Sequence, residues 1–349
     1  MIFDASSAEV LDSALTKSIH HACIKQLLYG VFGIVLGSVI FRWGYENLMR
    51  YAPKLFFFFC LLLLAVFIPG IGITANGARR WIGMFHVSLQ PSEFVKYVVP
   101  LYFIFLFTQK KELFFAPKTF YKSLLPFAVP LFLILIEPNN GTVGVIVLTL
   151  LVLFFLAKIP ARLWAVPMLT VLFVGGISAL SMPYVRGRLE TYLHPERDIR
   201  GKGHQPYQAK IASGSGGLFG KGLGKSVQKL SYLPEAQNDY IAAIFAEEFG
   251  FIGMCLIIGL YAWLSTIGWA IAMQAHDEAS FLAASSITFL LSFQAFMNLG
   301  VVSGLLPSTG LNLPFFSQGG SSLIANCAAV GILLRLALAQ ESVMQRKMA

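Results

Sequence analysis

The chain has 349 residues, of which 56% are hydrophobic and only 12% charged, and its formal net charge is +9. That is far more apolar surface than one soluble core can bury, which excludes a water-soluble globular enzyme and points to a polytopic membrane protein. The basic excess suits an anionic surface or substrate, with part of it being the usual cytoplasmic bias of Lys and Arg.

Residues 1–20 are polar and lack the apolar stretch of a signal peptide. Apolar runs able to cross the hydrocarbon follow at 24–41, 54–73, 91–108, 123–137, 141–157, 163–182, 239–263, 281–305 and 319–339. They predict an all-α membrane protein of about nine spans. One domain over 1–349 is expected, with a long polar loop at 183–238. The runs at 123–137 and 141–157 flank EPNNG and read as a helical hairpin with a tight polar turn.

Basic residues collect in one set of short loops: Arg42, Arg50 and Lys54, then Lys110, Lys111, Lys118 and Lys122, then Lys158 and Arg162, and finally Arg346 and Lys347. Those loops are expected in the cytoplasm. Alternation then places the N-terminus and the segments 74–90, 183–238 and 306–318 outside. Cys23, Cys60, Cys255 and Cys327 show no CxxC spacing, so they read as packing residues rather than a disulfide framework or a zinc site.

In NGARRWIGMFHVSLQPSEFVKY, residues 76–97, Pro91 and Glu93 both suit the first turn of a helix. Glu93 and Lys96 are then i,i+3 neighbours on one helical face, at or inside the apolar slab. An acid and a base at that depth mark a functional site, unless they form a salt bridge that merely lets both insert. Arg79, Arg80 and Trp81 fit the water interface as snorkelling and aromatic-belt residues.

The loop 183–238 is basic, with Arg188 and Lys221 among its cations and glycines at 214, 216, 217, 220, 222 and 224. Such a backbone can approach an anion closely and present N–H groups to a pyrophosphate. It lacks the spacing of a P-loop, and a flexible tether with a solvated basic face is the plainer reading.

Asp239 opens the next apolar run, where it either caps free N–H groups or, partly desolvated near a hydroxyl, acts as a base. Glu247 and Glu248 lie two turns deeper and need a counter-charge or a wet cavity, with Lys96 one candidate partner. The stretch LLPSTGLNLPFFSQGGSS, residues 305–322, is either a re-entrant element or an ordinary loop of proline and glycine turns.

Taken in order, NGARRWIG with QPSEFVK, EPNNGT, YVRGRLETYLHPERD, the stretch from YQAKIASGSGG to FAEEFGFIG, and MNLGVVSGLLPSTGLNLPFFSQGGSSL resemble the SEDS family (shape, elongation, division and sporulation) nearly end to end. The resemblance implies a ten-span bacterial inner-membrane enzyme that polymerises lipid II into peptidoglycan glycan strands beside a class B penicillin-binding protein and, in the division branch, other divisome proteins. No nucleic-acid partner is implied. MIFDASSAEVLD, residues 1–12, looks like the exit from the family's first span, which would reconcile nine spans with an outside N-terminus. SVQKLSYLPEA is closer to the division-type branch than to the elongation-type branch.

Carried onto this chain, the resemblance makes Asp239 the catalytic base on an acceptor hydroxyl of lipid II, with inversion at the anomeric carbon of the polyprenyl-pyrophosphate-linked chain. Arg80, Lys96 and Arg188 become the cations for the departing pyrophosphate, with Glu93 holding Lys96. Asn139, Lys221, Gln228 and Ser321 fall at further substrate-contacting motif positions. A divalent cation is an optional helper, for which no ligand cluster shows. The chain also departs from family patterns. Asn139 stands where Q-P-D-x-G-T carries its acid, Gln237 and Asn238 replace the residues before the aspartate of H-T-D-F, and Gln318 replaces the tyrosine of S-Y-G-G. Two other readings stay open: a lipid II flippase lined by Glu93, Lys96, Glu247 and Glu248, and a divisome scaffold without polymerase activity.

Overall fold

The computed structural model describes residues 20–75, 78–84, 87–180, 190, 192–193, 204–226 and 239–348. Arg188 and Gln228 lie outside the described residues, as does the first part of the chain. Every predicted apolar run carries a helix: α1 (His20–Trp43), α2 (Tyr45–Ala65), α3 (Pro91–Gln109), α4 (Pro117–Ile136), α5 (Asn140–Leu156), α6 (Ala161–Leu180), α8 (Ile241–Met273), α9 (Glu278–Val302) and α10 (Gly320–Met348). A further helix, α7 (His204–Ser215), lies within the long loop. Among the described residues, 6 helices are long and apolar enough to cross a membrane, and α5 is a shorter apolar one.

Two boundaries moved for clear reasons. Gly44, at φ 93°, ends α1, and α2 starts at once, so that Arg50, Pro53 and Lys54 lie inside the helix and the run's tail leaves it at Val66. The stretch 74–90, read as a loop, holds most of a small antiparallel sheet of β1 (Gly72–Ala75), β2 (Ala78–Met84) and β3 (Val87–Leu89), in the order β1-β2-β3. Ile73 pairs with Trp81, a β-branched side chain against an aromatic one, and Ile82 pairs with Leu89.

The chain divides into two compact units. One comprises 29–166, 264–292 and 320–349. Its interior is a run of phenylalanines: Phe103 packs edge-on to Phe114 at 5.3 Å between ring centroids and tilts against Phe154 at 5.2 Å. Such ring pairs matter more here than in a soluble core, because lipid leaves packing rather than water expulsion to hold helices together. Where α1 meets α10, a Cβ on Gly37 would strike the Cys327 carbonyl and one on Gly331 would strike Gly37 itself. The two backbones touch there, as small residues permit.

The other unit comprises 1–28, 167–263 and 293–319. Its core joins Ala209 and Ala212 of α7, Tyr240, Ala242, Ala243 and Ile244 at the head of α8, Ala295, Val301 and Val302 of α9, and Leu313. Within α8, Gly250 takes φ 65° and ψ −161°, breaking the helix between a buried head and a longer tail.

Candidate functional site

In the first of these units the polar residues converge around the turn between α4 and α5. Arg80, on β2, donates from Nε to the Glu137 carbonyl at 2.9 Å and from Nη2 to the Pro138 carbonyl at 2.7 Å. The guanidinium fork thus pins the turn. Pro138 has φ 26°, and Asn139 follows as the N-cap of α5, accepting from the Thr142 amide and, at 3.0 Å, from the Thr142 hydroxyl. The Asn139 amide donates to the Ser92 hydroxyl at 3.3 Å. This asparagine, at the position of the family's acid, therefore caps a helix and ties α5 to α3.

The Glu137 side chain is buried, and neither carboxylate oxygen has a hydrogen-bond partner among the described residues. It sits in the turn beyond the end of α4, and burial pushes its carboxyl up to about 8 against the opposing pull of Arg80.

Pro91 and Glu93 open α3 as their helix-start pattern predicts. The Lys96 ammonium lies 2.7 Å from Glu93 Oε2, with both side chains buried, and 5.4 Å from the centroid of the Tyr97 ring. A pair so desolvated survives only when each charge keeps its partner. Ser321, at the start of α10, accepts from the Gln90 amide at 2.9 Å, fixing the entry to α3. Arg80, Glu93, Lys96, Asn139 and Ser321 thus belong to one unit and one connected polar region.

In the other unit Asp239 is half-buried, two residues ahead of the first helical residue of α8. Asn298 of α9 donates to the Asp239 carbonyl at 3.0 Å and to the Leu311 carbonyl at 2.8 Å, so one amide holds both the aspartate's backbone and the connection between α9 and α10. A Cβ on Gly310 would come within 3.9 Å of Asp239 Oδ2, which places the carboxylate beside an open glycine. The connection's other carbonyls are received in the same way: Gln294 donates to Asn312 at 3.0 Å and Tyr261 to Pro314. Irregular backbone supplied with protein donors is what a re-entrant element requires. Gln294 and Tyr261 lie outside the motifs quoted above, and Asn298 falls inside MNLGVVSG without a role that the motif assigns to it.

The glycine-rich segment turns part of its backbone toward the protein: Lys221 N bonds the Glu247 carbonyl at 2.9 Å, Gly222 N the Glu248 carbonyl at 3.0 Å, and Gly220 N the Gly216 carbonyl at 2.8 Å. In return Phe251 N and Ile252 N, just past the break in α8, bond the carbonyls of Gly217 and Leu218. The loop fills the gap in the helix ladder. The Lys221 ammonium, expected at the substrate, lies 2.6 Å from Glu247 Oε1, and Ser226 donates to Glu247 Oε2 at 2.5 Å. Glu247 thus obtains its counter-charge from the loop rather than from Lys96, which pairs with Glu93. Among the described residues no three His, Cys, Asp or Glu side chains gather as a metal-ligand set.

The sequence profile of FtsW, RodA and SpoVE, described as cell cycle proteins, matches residues 1–342. The chain belongs to the FtsW/RodA/SpoVE family. It is 41% identical over 350 residues to the "Probable peptidoglycan glycosyltransferase FtsW" of Coxiella burnetii, covering 98% of this chain and 93% of that one. It is 38% identical over 315 residues to stage V sporulation protein E of Bacillus subtilis, covering 89% and 86%. Among solved structures, a chain of a peptidoglycan synthase complex described as coordinating polymerization and crosslinking matches with a TM-score of 0.78 at 25% identity, covering 97% of this chain and 94% of that one. The rod shape determining protein RodA of Thermus thermophilus matches with a TM-score of 0.67 at 26% identity, covering 97% and 94%. This FtsW/RodA/SpoVE member is a multi-pass protein of the bacterial inner membrane.

Proposed function

We infer that the protein is a peptidoglycan glycosyltransferase of the FtsW type that polymerises lipid II, with Asp239 as its general base. The observation that carries this is the setting of Asp239: half-buried at the mouth of α8, its backbone held by Asn298, its carboxylate beside Gly310. A carboxylate so placed can take the proton of the acceptor sugar's 4-hydroxyl. That oxygen attacks the anomeric carbon of the growing chain from the face opposite the pyrophosphate. The carbon–oxygen bond to polyprenyl pyrophosphate breaks, its electron pair leaves with the phosphate, and configuration inverts.

Negative charge grows on the departing pyrophosphate, where cations stabilise the transition state most. Arg80, Lys96 and Arg188 are the proposed groups, with Glu93 setting the position of the Lys96 ammonium. Asn139 and Ser321 act through the hydrogen bonds that hold α5 and α10 to the start of α3. A class B penicillin-binding protein is the proposed partner, and the likeness to a chain of a peptidoglycan synthase complex supports it. Service in division rather than elongation is favoured by the relatives named FtsW.

The deciding experiment supplies labelled lipid II to the purified protein with its transpeptidase partner and compares wild type with Asp239→Asn and Asp239→Ala. Loss of a general base costs about 10²- to 10⁴-fold in rate. Equal strand formation by all three proteins would remove Asp239 from catalysis, and none from any would favour transport or scaffolding.

A further inference from the structure

The glycine-rich loop pairs its glycines with large apolar residues, in the order Gly217, Leu218, Phe219, Gly220, Lys221, Gly222, Leu223, Gly224, Lys225. A loop facing water would fold such side chains under itself. Here Leu218 is 62% exposed, Phe219 80% and Leu223 71%. The exposure does not reflect a loose backbone, since hydrogen bonds tie the loop to both sides of the break in α8. Its glycines are forced by contact: a Cβ on Gly216 would collide with the Ala246 carbonyl, and one on Gly220 with that of Glu248. Gly217, Gly220, Gly222 and Gly224 all have positive φ, which fixes where the apolar side chains stand.

What covers them follows from their neighbours. Ile252 N bonds the Leu218 carbonyl at 3.2 Å, so the loop abuts the stretch of α8 that exposes Phe251, Ile252, Leu256 and Leu260. That stretch belongs to a helix long and apolar enough to cross a membrane, and the exposed side chains on it are of the kind that suits lipid. Leu218, Phe219 and Leu223 are the exposed apolar side chains of the segment bonded to that stretch, while Lys225 is exposed at the loop's end. Apolar side chains rimmed by lysine are the composition of elements that sink a few ångströms into a leaflet.

We propose that the segment Gly216–Lys225 is a membrane-embedded anchor, with Leu218, Phe219 and Leu223 among the acyl chains of one leaflet and Lys225 at the lipid phosphates. The occupant of this surface is the bilayer itself. The loop then tethers the head of α8 to the membrane surface independently of any substrate.

The test replaces Cys23, Cys60, Cys255 and Cys327 by serine and introduces one cysteine at a time through Leu218→Cys, Phe219→Cys, Leu223→Cys or Lys110→Cys. Each full-length protein is spin-labelled and placed in nanodiscs of phosphatidylethanolamine and phosphatidylglycerol. Collisions are read with oxygen, which concentrates in lipid, and with a nickel chelate, which stays in water. Labels at 218, 219 and 223 are expected to meet oxygen and lose the nickel collisions that the label at 110 keeps. Nickel access at 219 equal to that at 110 would overturn the proposal, because the loop would then lie in water. Shielding from both reagents would overturn it too, because protein would then cover the loop. Bonding by these positions is through the backbone or absent, so the substitutions leave the loop's hydrogen bonds in place.

Discussion

The Lys221 ammonium lies 2.6 Å from the Glu247 carboxylate, joining a side chain 36% exposed to one that is 0% exposed. The pair is lopsided, so its two members should respond differently to removal. Lys221→Met strips the ammonium from a buried carboxylate and should cost about 3–5 kcal/mol, the range for breaking a buried pair from one side. Adding Glu247→Gln should recover part of that loss, since the carboxylate that Lys221 pairs with then carries no charge. Thermal unfolding in detergent of the two single variants and the double variant reads the coupling directly.

Gly250 should tolerate no side chain. Its φ of 65° with ψ of −161° is a conformation essentially reserved for glycine, and a Cβ there would strike the backbone of Leu218 and Gly220. Backbone strain alone is about 1–3 kcal/mol, and the collisions add to it. Gly250→Ala is expected to lower Tm and yield, whereas Gly259→Ala, in the same helix with nothing within 4 Å of its Cβ, should leave both unchanged. Similar losses from both would refute the role of the break.

Glu137 should make stability fall as pH rises. Its carboxyl is at about 8 when folded against an ordinary value of 4.5, so between those limits the folded chain holds a proton that the unfolded chain has released. Unfolding therefore becomes easier across that window, and the stabilising contribution is fully present only below it. Glu137→Gln should flatten this dependence and raise Tm at pH 8 more than at pH 5. Melting curves over that range check the sign.

Asn298 should matter to rate through position. It donates to the carbonyls of Asp239 and Leu311, and Asn298→Asp keeps the volume while removing both donors. Each orphaned carbonyl costs about 1–3 kcal/mol. Slower strand formation is expected with little change in KM, because the proposed base is displaced while the proposed cations stay in place. Initial rates over a range of lipid II concentrations separate the two effects.

Asn139 serves as a cap, so Asn139→Ala should cost about 1 kcal/mol of stability. Asn139→Asp should keep most of it, since a carboxylate also accepts from Thr142 and suits a helix N-terminus. Comparing the two melting temperatures tests the capping role apart from any catalytic one.

Helices were legible wherever a local signal existed. Pro91 and Glu93 mark the start of α3, and EPNNG marks the hairpin between α4 and α5, because proline, helix-end charge and turn residues act within a few positions. The i,i+3 spacing of Glu93 and Lys96 likewise foretells their contact. The small sheet had its own local sign in Asn76-Gly77, the composition of a two-residue hairpin turn, which the apolar count passes over. Other features had no local sign at all. That Gly216 and Gly220 serve the backbone near residue 247 depends on pairing across about thirty residues, which no window of periodicity contains. Asn298 is likewise one polar residue in an apolar helix until the fold brings Asp239 and Leu311 to it.

The repair of the break in α8 by residues synthesised before it bears on how the protein assembles. A helix carrying Glu247 and Glu248 in its buried head inserts at a cost that each carboxylate imposes until it is paired. Lys221, Ser226 and the loop's backbone offset that penalty only once docked. Loop and helix head should therefore form, open and exchange their amide hydrogens as one cooperative unit, with the tail of α8 free to become protected earlier.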